Sequence, residues 1–338
     1  MSRRRCVELQ KKGPILVTGA STGIGRAVAE ALAENGHLVY ATARKRAHLE
    51  KLARIKNVDP IRLDVTKPEE VAKAADHIRR KGKGLFGLVN CAGIGDVWPL
   101  IGSTEEDIVR LFGVNVFGMH RVTRAMLPFL IKSRGRVVNI GSLAGIASAK
   151  PLGAYCMTKF AVEAYSEVLA SELARYGMRV AILEPGDYRT NIVGPIARYV
   201  REREGERSAV LVREEETEAK KWLEETKGSF EQRQGPQSVA EAALHALHSP
   251  QPKFRYAVSP TAGQLTWALD GLTTRLVQAS LGGGRYALTR KEMHALLDKV
   301  WEREGEEVRT SLSGGARKDY VNALSGNPQA PVTSSGRP

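Results

Sequence analysis

Six short apolar runs, each followed by a stretch of helical patterning, constrain this chain more than any other feature. PILVTGA (14–20), LVYATA (38–43), IRLDV (61–65), GLVNCAG (87–93), RVVNIGS (136–142) and RVAILEPG (179–186) read as strands. Helices are expected between them, among others over 26–33, 68–80, 104–131 and 155–175. The third opens at Ser103-Thr104 followed by Glu105 and Glu106, a capping arrangement that suits the positive end of a helix dipole. VAEAALHAL (239–247) adds a returning helix and FRYAVS (254–259) a last strand. Strands this short and uniformly apolar are covered on both faces, and strands separated by helices run parallel. The expected fold class is α/β, a three-layer, doubly wound parallel sheet.

Composition narrows the function classes. At 338 residues, 42% hydrophobic and 26% charged, the chain has the make-up of a soluble globular protein with one large core or two small ones. Cys6, Cys91 and Cys156 are too few and too scattered for a disulfide framework or a zinc site. No metal is expected, and the compartment is expected to be reducing and cytoplasmic. Arg3, Arg4 and Arg5 are not followed by a signal-peptide run, and no stretch of about 18 uncharged apolar residues offers a spanning helix. The net charge of +14 is concentrated before residue 193: residues 1–192 hold 30 basic and 18 acidic residues, the remainder 21 and 19. The excess is spread out and lacks interleaved aromatics, so it reads as a basic surface favouring a polyanionic small molecule rather than nucleic acid.

Residues 1–12 are expected to be a flexible N-terminus, 13–260 the main domain, 261–309 a helical extension and 310–338 a disordered Ser/Gly/Pro-rich tail. Within the main domain, 194–235 is crowded with charge (REREGER, REEETEAKKWLEETK) and reads as mobile helices forming a lid over the open side. In the extension, Leu265, Leu269, Leu272 and Leu276 make one apolar helical stripe. It is expected to pack against the domain or a second subunit; peripheral membrane contact is the alternative, although Asp270 and a single Arg275 do not make a basic face. MHALLDKVW (293–301) reads as a further helix.

TGASTGIG (18–25) joins the first strand to the first helix, with Gly19, Gly23 and Gly25 spaced G-x3-G-x-G. Side chains at those positions would obstruct a pyrophosphate approaching the helix N-terminus, where backbone N–H groups and the dipole bind phosphate. A tight turn without a ligand is the alternative. The spacing resembles the cofactor turn of the short-chain dehydrogenase/reductase family. NCAG (90–93) resembles that family's N-N-A-G, with Cys91 in place of the second asparagine. Asn115 in VNVFG, Ser142 thirteen residues before Tyr155, Lys159 four after it, and PGDYRT (185–190) for P-G-x-x-x-T agree as well. The resemblance covers roughly 13–260 and is strongest to the steroid- and retinol-dehydrogenase-type branch, on the stretch GAYCMTKFAVEAYSEVLASELARYGMRVAILEPG.

The resemblance implies a Rossmann-like fold, hydride transfer with a nicotinamide cofactor, and a homo-oligomer. It places Gly19, Ser21, Thr22, Gly23, Ile24, Gly25, Asn90, Ala92, Gly93, Pro185, Gly186 and Thr190 along the cofactor, with Asp64 and Val65 at the adenine. Asp64 has the alternative role of a strand-end cap. The second strand ends Ala41-Thr42-Ala43-Arg44-Lys45 with no acid to bind a ribose 2′-hydroxyl. A guanidinium there can clamp a 2′-phosphate, so NADP(H) is expected, with Arg44 the main determinant and Lys45 a helper.

Tyr155 and Lys159 fall on one helix face. Hydride transfer to a carbonyl needs a proton donor at the oxygen; a free tyrosine titrates near 10, and a neighbouring ammonium favours its phenolate. The resemblance implies that Ser142 hydrogen-bonds the substrate oxygen, that Asn115 holds a water chain, that Lys159 bonds the nicotinamide ribose and that Thr190 bonds the carboxamide. Cys156, Met157 and Thr158 gain no role. Ile94, Val97, Trp98, Leu143, Ala144, Leu152 and Ile192 are expected around the substrate. They favour a sizeable hydrophobic alcohol or ketone, steroid-, retinoid- or lipid-like. A general carbonyl reductase for small ketones and aldehydes, or a non-catalytic dinucleotide-binding sensor, are the alternatives.

Overall fold

Every expected strand forms, and all of them run parallel. A computed structural model describes residues 13–190, 213–228, 232–281 and 287–305. The expected N-terminus 1–12, Ile192, lid residues 194–212 and 229–231, and the tail 310–338 lie outside the described residues. In chain order the sheet and its first helices are β1 (Ile15–Val17), α1 (Gly23–Glu34), β2 (Val39–Ala43), α2 (Arg46–Leu52), β3 (Val58–Arg62), α3 (Pro68–Lys81) and β4 (Gly87–Asn90). Then come α4 (Glu105–Phe112), a π-helical turn (Gly113–Gly118), α5 (Met119–Ser133), β5 (Arg136–Ile140), a 3-10 turn (Leu143–Gly145), α6 (Gly153–Ala174) and β6 (Arg179–Pro185). The lid helix α7 (Arg213–Gly228), α8 (Gln237–His248) and β7 (Arg255–Val258) complete the unit that ends at Val258.

Strand order is β3-β2-β1-β4-β5-β6-β7. Alternation along β1 shows why the strands are apolar throughout: Ile15 and Val17 pack into the core under α1 and α8, while Leu16 faces the core under α3, α5 and α6. The order reverses between β1 and β4, which opens a crevice at their carboxyl ends. The glycine turn and NCAG both end there.

Three expectations shift. The third strand lies at Val58–Arg62 rather than 61–65. Asp59 and Pro60 interrupt the apolar pattern, but β3 is an edge strand, where a residue without an N–H is tolerated. The helix expected over 104–131 is two α-helices joined by the π turn. Its start is as expected: Thr104 Oγ1 accepts from the Asp107 N–H, and Asp107 Oδ2 accepts from the Thr104 N–H. The helix expected from 155 starts at Gly153.

A second unit begins at Ser259 and contains α9 (Ala262–Leu281) and α10 (Arg290–Gly305). Thr289 caps α10, its N–H donating to Glu292 Oε2 at 2.8 Å. Leu272, of the apolar stripe, is 49% exposed, and Leu265, Leu269 and Leu276 are half-buried. Among the described residues no helix is long and apolar enough to cross a membrane.

Candidate active site

The glycine turn is pinned from below. Thr18, at the end of β1, is buried, and its Oγ1 accepts the N–H groups of Cys91 (2.9 Å) and Ala92 (3.0 Å). Gly19 and Gly23 have φ of 67° and 57°, the left-handed region that suits glycine. A Cβ on Gly19 would sit 2.8 Å from Ala92 Cα, one on Gly25 2.5 Å from the Gly19 carbonyl oxygen, and one on Gly23 3.1 Å from Thr190 Cβ. The turn, NCAG and Thr190 therefore converge on one spot, as the motif spacing implied. Gly19 N–H also donates to Thr42 Oγ1 at 3.3 Å. Thr22 stands at the N-cap of α1 but its side chain makes no cap hydrogen bond, and the first turn holds no acidic residue. The helix start is thus suited to an external anion. Ser21 lies half-buried before it, and Ile24 packs on the core.

Beside this turn, Arg44 is 65% exposed, with its Nη1 4.0 Å from Asp64 Oδ2; Lys45 is exposed. Asp64 accepts from the Thr66 N–H (3.0 Å) and Oγ1 (2.7 Å), the strand-end cap weighed above. Burial opposes its ionisation, but those hydrogen bonds and the charges of Arg44 and Lys67 hold its carboxyl below the ordinary range. Val65 is buried, with a Cβ on Gly118 of the π turn falling 2.5 Å from its Cγ2. Asn90 turns its side chain into the core, donating to Thr123 Oγ1 and Asn139 Oδ1, both at 2.9 Å. Its backbone remains to face the crevice together with Gly93, next to Asn115. Pro185 ends β6, and Gly186 N–H donates to the Val258 carbonyl at 2.8 Å, which fixes the chain leading to Thr190.

Tyr155 and Lys159 lie two turns into α6. Lys159 is only 7% exposed; its Nζ sits 5.6 Å from the centre of the Tyr155 ring and donates to the Ile140 carbonyl at 3.0 Å. Ser142 follows β5 and its Oγ accepts from the Ala144 N–H at 3.1 Å, capping the 3-10 turn. The π turn brings Asn115 inward: its Oδ1 accepts from Ile94 N–H (2.9 Å), and its Nδ2 donates to the Ile94 carbonyl (2.9 Å) and to Thr158 Oγ1 (3.0 Å). Thr158 donates in turn to the Tyr155 carbonyl at 2.8 Å. This is a correction. Thr158, expected to have no role, links Asn115 to the tyrosine's own helical turn.

Burial pushes the Cys91 thiol up to about 12, against the charge of Lys159, so it is a protonated, unreactive thiol near neutral pH. On the substrate side, Val97 and Trp98 are buried with Ala219 and Leu223 of α7, and Leu152 and Trp222 pack against them. The lid helix thus turns an apolar face onto the expected pocket wall. Asp96 caps that wall, its Oδ1 accepting from Val97 N–H at 2.9 Å and its Oδ2 from Arg110 at 3.3 Å. Leu143 and Ala144 are buried in the 3-10 turn, and Ile94 is half-buried. Thr18, Thr42, Thr158 and Asp96 were not among the expected site residues. Only the position of Thr18 and Thr158 inside quoted motifs signalled them.

Comparison with known proteins agrees with this geometry. Residues 14–200 match the family model for short chain dehydrogenases. Human retinol dehydrogenase 16 is 34% identical over 277 residues, 78% of this chain and 86% of that protein. Human retinol dehydrogenase 5 is 39% identical over 183 residues, 53% of this chain and 57% of that protein. The 3-ketodihydrosphingosine reductase of Bacteroides thetaiotaomicron is 37% identical over 180 residues, 52% of this chain and 64% of that protein. The match to the last two therefore spans less than two thirds of their own length. A short-chain dehydrogenase structure from Streptomyces avermitilis superposes with a TM-score of 0.63 at 31% identity, covering 89% of this chain and 98% of the other. The 3-ketoacyl-(acyl-carrier-protein) reductase of Brucella melitensis, complexed with NADH, gives 0.60 at 25% identity, covering 73% and 97%. With the parallel sheet, the glycine turn and the Ser142–Tyr155–Lys159 spacing, these matches establish that the chain belongs to the short-chain dehydrogenase/reductase family, on its retinol dehydrogenase-type branch.

Proposed function

We propose that the chain is an NADP(H)-dependent oxidoreductase acting on a hydrophobic alcohol or ketone of steroid-, retinoid- or lipid-like size. One observation carries this: the Lys159 ammonium, buried and fixed on the Ile140 carbonyl, faces the Tyr155 ring at 5.6 Å, beside the Ser142 turn. The residues fit a dinucleotide, because the glycine turn leaves open the space that side chains would fill and presents a helix start without acidic side chains. Bound there, the nicotinamide supplies or takes the hydride.

The chain's own residues handle the proton and the fit. Tyr155 donates its hydroxyl proton to the substrate oxygen in reduction and takes it back in oxidation. Lys159 stabilises the phenolate left behind by its charge, and Ser142 holds the substrate oxygen. Asn115, fixed on both backbone groups of Ile94, orients the water path through which the proton is replaced. Arg44 is the group that meets a 2′-phosphate, drawing away from Asp64 to do so. The apolar wall of Val97, Trp98, Leu152 and Leu223 favours a hydrophobic substrate, in keeping with relatives named for retinol and 3-ketodihydrosphingosine.

We further infer a cytoplasmic homo-oligomer, with possible peripheral membrane contact through the second unit. The exposed Phe117 and Val168, beside the groove between α5 and α6 at Leu127 and Tyr165, suit a self-association face. The test is a panel of steroid, retinoid and aliphatic carbonyls with NADPH, run on wild type and Tyr155→Phe. Turnover that falls on the order of 10²- to 10⁴-fold in the variant supports the reading. Turnover of small ketones alone favours a general carbonyl reductase. No turnover of any compound, with NADPH still bound, favours a dinucleotide-binding sensor.

A further inference from the structure

Four charged side chains meet behind the reacting pair, and the proposed chemistry uses none of them. Glu163 lies one turn beyond Lys159 and two beyond Tyr155, on the same face of α6. It is 8% exposed. Its Oε2 accepts from Arg255 Nη1 at 2.5 Å, which ties α6 to β7. The same Nη1 meets Glu184 Oε1 on β6, and Arg255 Nη2 donates to Glu167 Oε1 at 3.0 Å. Three carboxylates therefore share one guanidinium. The charged groups facing Glu163 are Lys159 and Glu167 on its own helix, Glu184 on β6 and Arg255 on β7. The end of β5 and the 3-10 turn present backbone to it.

That backbone is shaped around the carboxyl. A Cβ on Gly141 would lie 3.0 Å from Glu163 Oε1, and one on Gly145 3.1 Å from it. Neither glycine is among those with positive φ, so what they supply is room. Gly141 and Gly145 bracket Ser142, so the loop that holds the serine rests on this carboxyl. Oε1 of Glu163 and Oε2 of Glu184, both buried, have no hydrogen-bond partner. A cluster with more carboxylates than cations and two unpartnered buried oxygens has places for a proton.

We propose that Glu163 is a positioning residue for the reaction, holding the Ser142 turn and Lys159 through a carboxyl that gains and loses a proton in the working pH range. Burial pushes Glu163 up to about 7; the Arg255 charge opposes this, Glu167 adds to it, and Lys159 opposes it most weakly. Protonated, Glu163 is a neutral prop under the Ser142 turn. Ionised, it becomes a buried negative charge behind Lys159 that pulls on Arg255. The two states hold the turn differently, and turnover then carries an ionisation that belongs to neither Tyr155 nor Lys159.

The proposal rests on the proposed function, and the test separates the two. The pH dependence of kcat and kcat/KM is measured with NADPH and the best carbonyl of the panel for wild type, Glu163→Gln, Glu167→Gln and Tyr155→Phe. Wild type is expected to show an inflection near neutrality that Glu163→Gln lacks, with KM for NADPH within about twofold of wild type. Glu167→Gln, on an exposed side chain, removes a like charge and is expected to move that inflection toward acid by about half a pH unit or more. It keeps the test decisive if Glu163→Gln fails to fold. An inflection that survives Glu163→Gln, or that ignores Glu167→Gln in a folded protein, overturns the proposal while Tyr155→Phe still supports the function. Turnover untouched by Tyr155→Phe overturns both.

Discussion

Thr18→Val puts a number on the pin beneath the cofactor turn. Valine matches threonine in shape, but the two N–H groups of Cys91 and Ala92 lose their shared acceptor inside the protein. Each buried donor left unpaired costs about 1–3 kcal/mol, and local settling recovers part of it, so a loss of about 2–5 kcal/mol is expected. At roughly 2–4 °C per kcal/mol for a domain of this size, the melting temperature should fall by about 5–15 °C. Thr18→Ser keeps the oxygen and gives up only a methyl, and should lose under about 1.5 kcal/mol. Thermal unfolding followed by circular dichroism reads both. NADPH titration by fluorescence adds the functional half: freeing Ala92 disturbs the contact with Gly19, so affinity should fall in Thr18→Val and recover in Thr18→Ser. A valine variant that melts within a degree or two of wild type, or a serine variant as damaged as the valine one, refutes the argument.

Other outcomes follow from the same geometry. Arg44→Asp should raise KM for NADPH about tenfold or more and spare NADH; equal loss with both cofactors, in steady-state kinetics, removes Arg44 from its role. Leu223→Ala opens a gap against Val97 and Trp98, so KM for a bulky apolar carbonyl should rise several-fold while a small ketone is unaffected. For Cys91, the folded chain keeps its thiol proton up to about 12, whereas an unperturbed thiol releases it near 9. The fold therefore binds more protons across that window, and stability is intact below pH 9 and falls as pH rises through it. Cys91→Ala should flatten that part of the melting-temperature profile, and iodoacetamide labelling of native wild type at pH 8 should spare Cys91.

What was legible in the sequence was local. β1, the glycine turn and α1 adjoin one another, and apolar runs set between helices allow few arrangements other than a parallel sheet. The third strand was displaced because Asp59 and Pro60 look like a break, and only its edge position makes them acceptable. Nothing in the periodicity of 104–131 marks the π turn, since Gly113 and Gly118 are also compatible with a helix boundary. Asn115 was expected from resemblance, but its clamp on Ile94, 21 residues away, is a tertiary fact. Thr18 reaches 73 residues to Cys91, and Arg255 reaches 92 to Glu163; spacing along the chain cannot announce such pairs. The lid helix read as charge because REEETEAKKWLEETK is mostly charge. Its apolar face is only Ala219, Trp222 and Leu223, too few to stand out until Val97 and Trp98 lie beneath them.

The π turn at Gly113–Gly118 makes this part of the chain intolerant of changes in length rather than of changes in composition. A π turn holds one residue more than an α-helix allows, so deleting a single residue between 113 and 118 would let the segment close into ordinary helix. Everything after it would then turn by about 100° relative to α4. Val122, Met126 and Leu130 would swing off the sheet, and Asn115 would leave Ile94 and Thr158 together. Among homologues, gaps should accordingly be scarce in this stretch even where its letters vary, and a one-residue insertion paired with the deletion should restore what the deletion alone destroys.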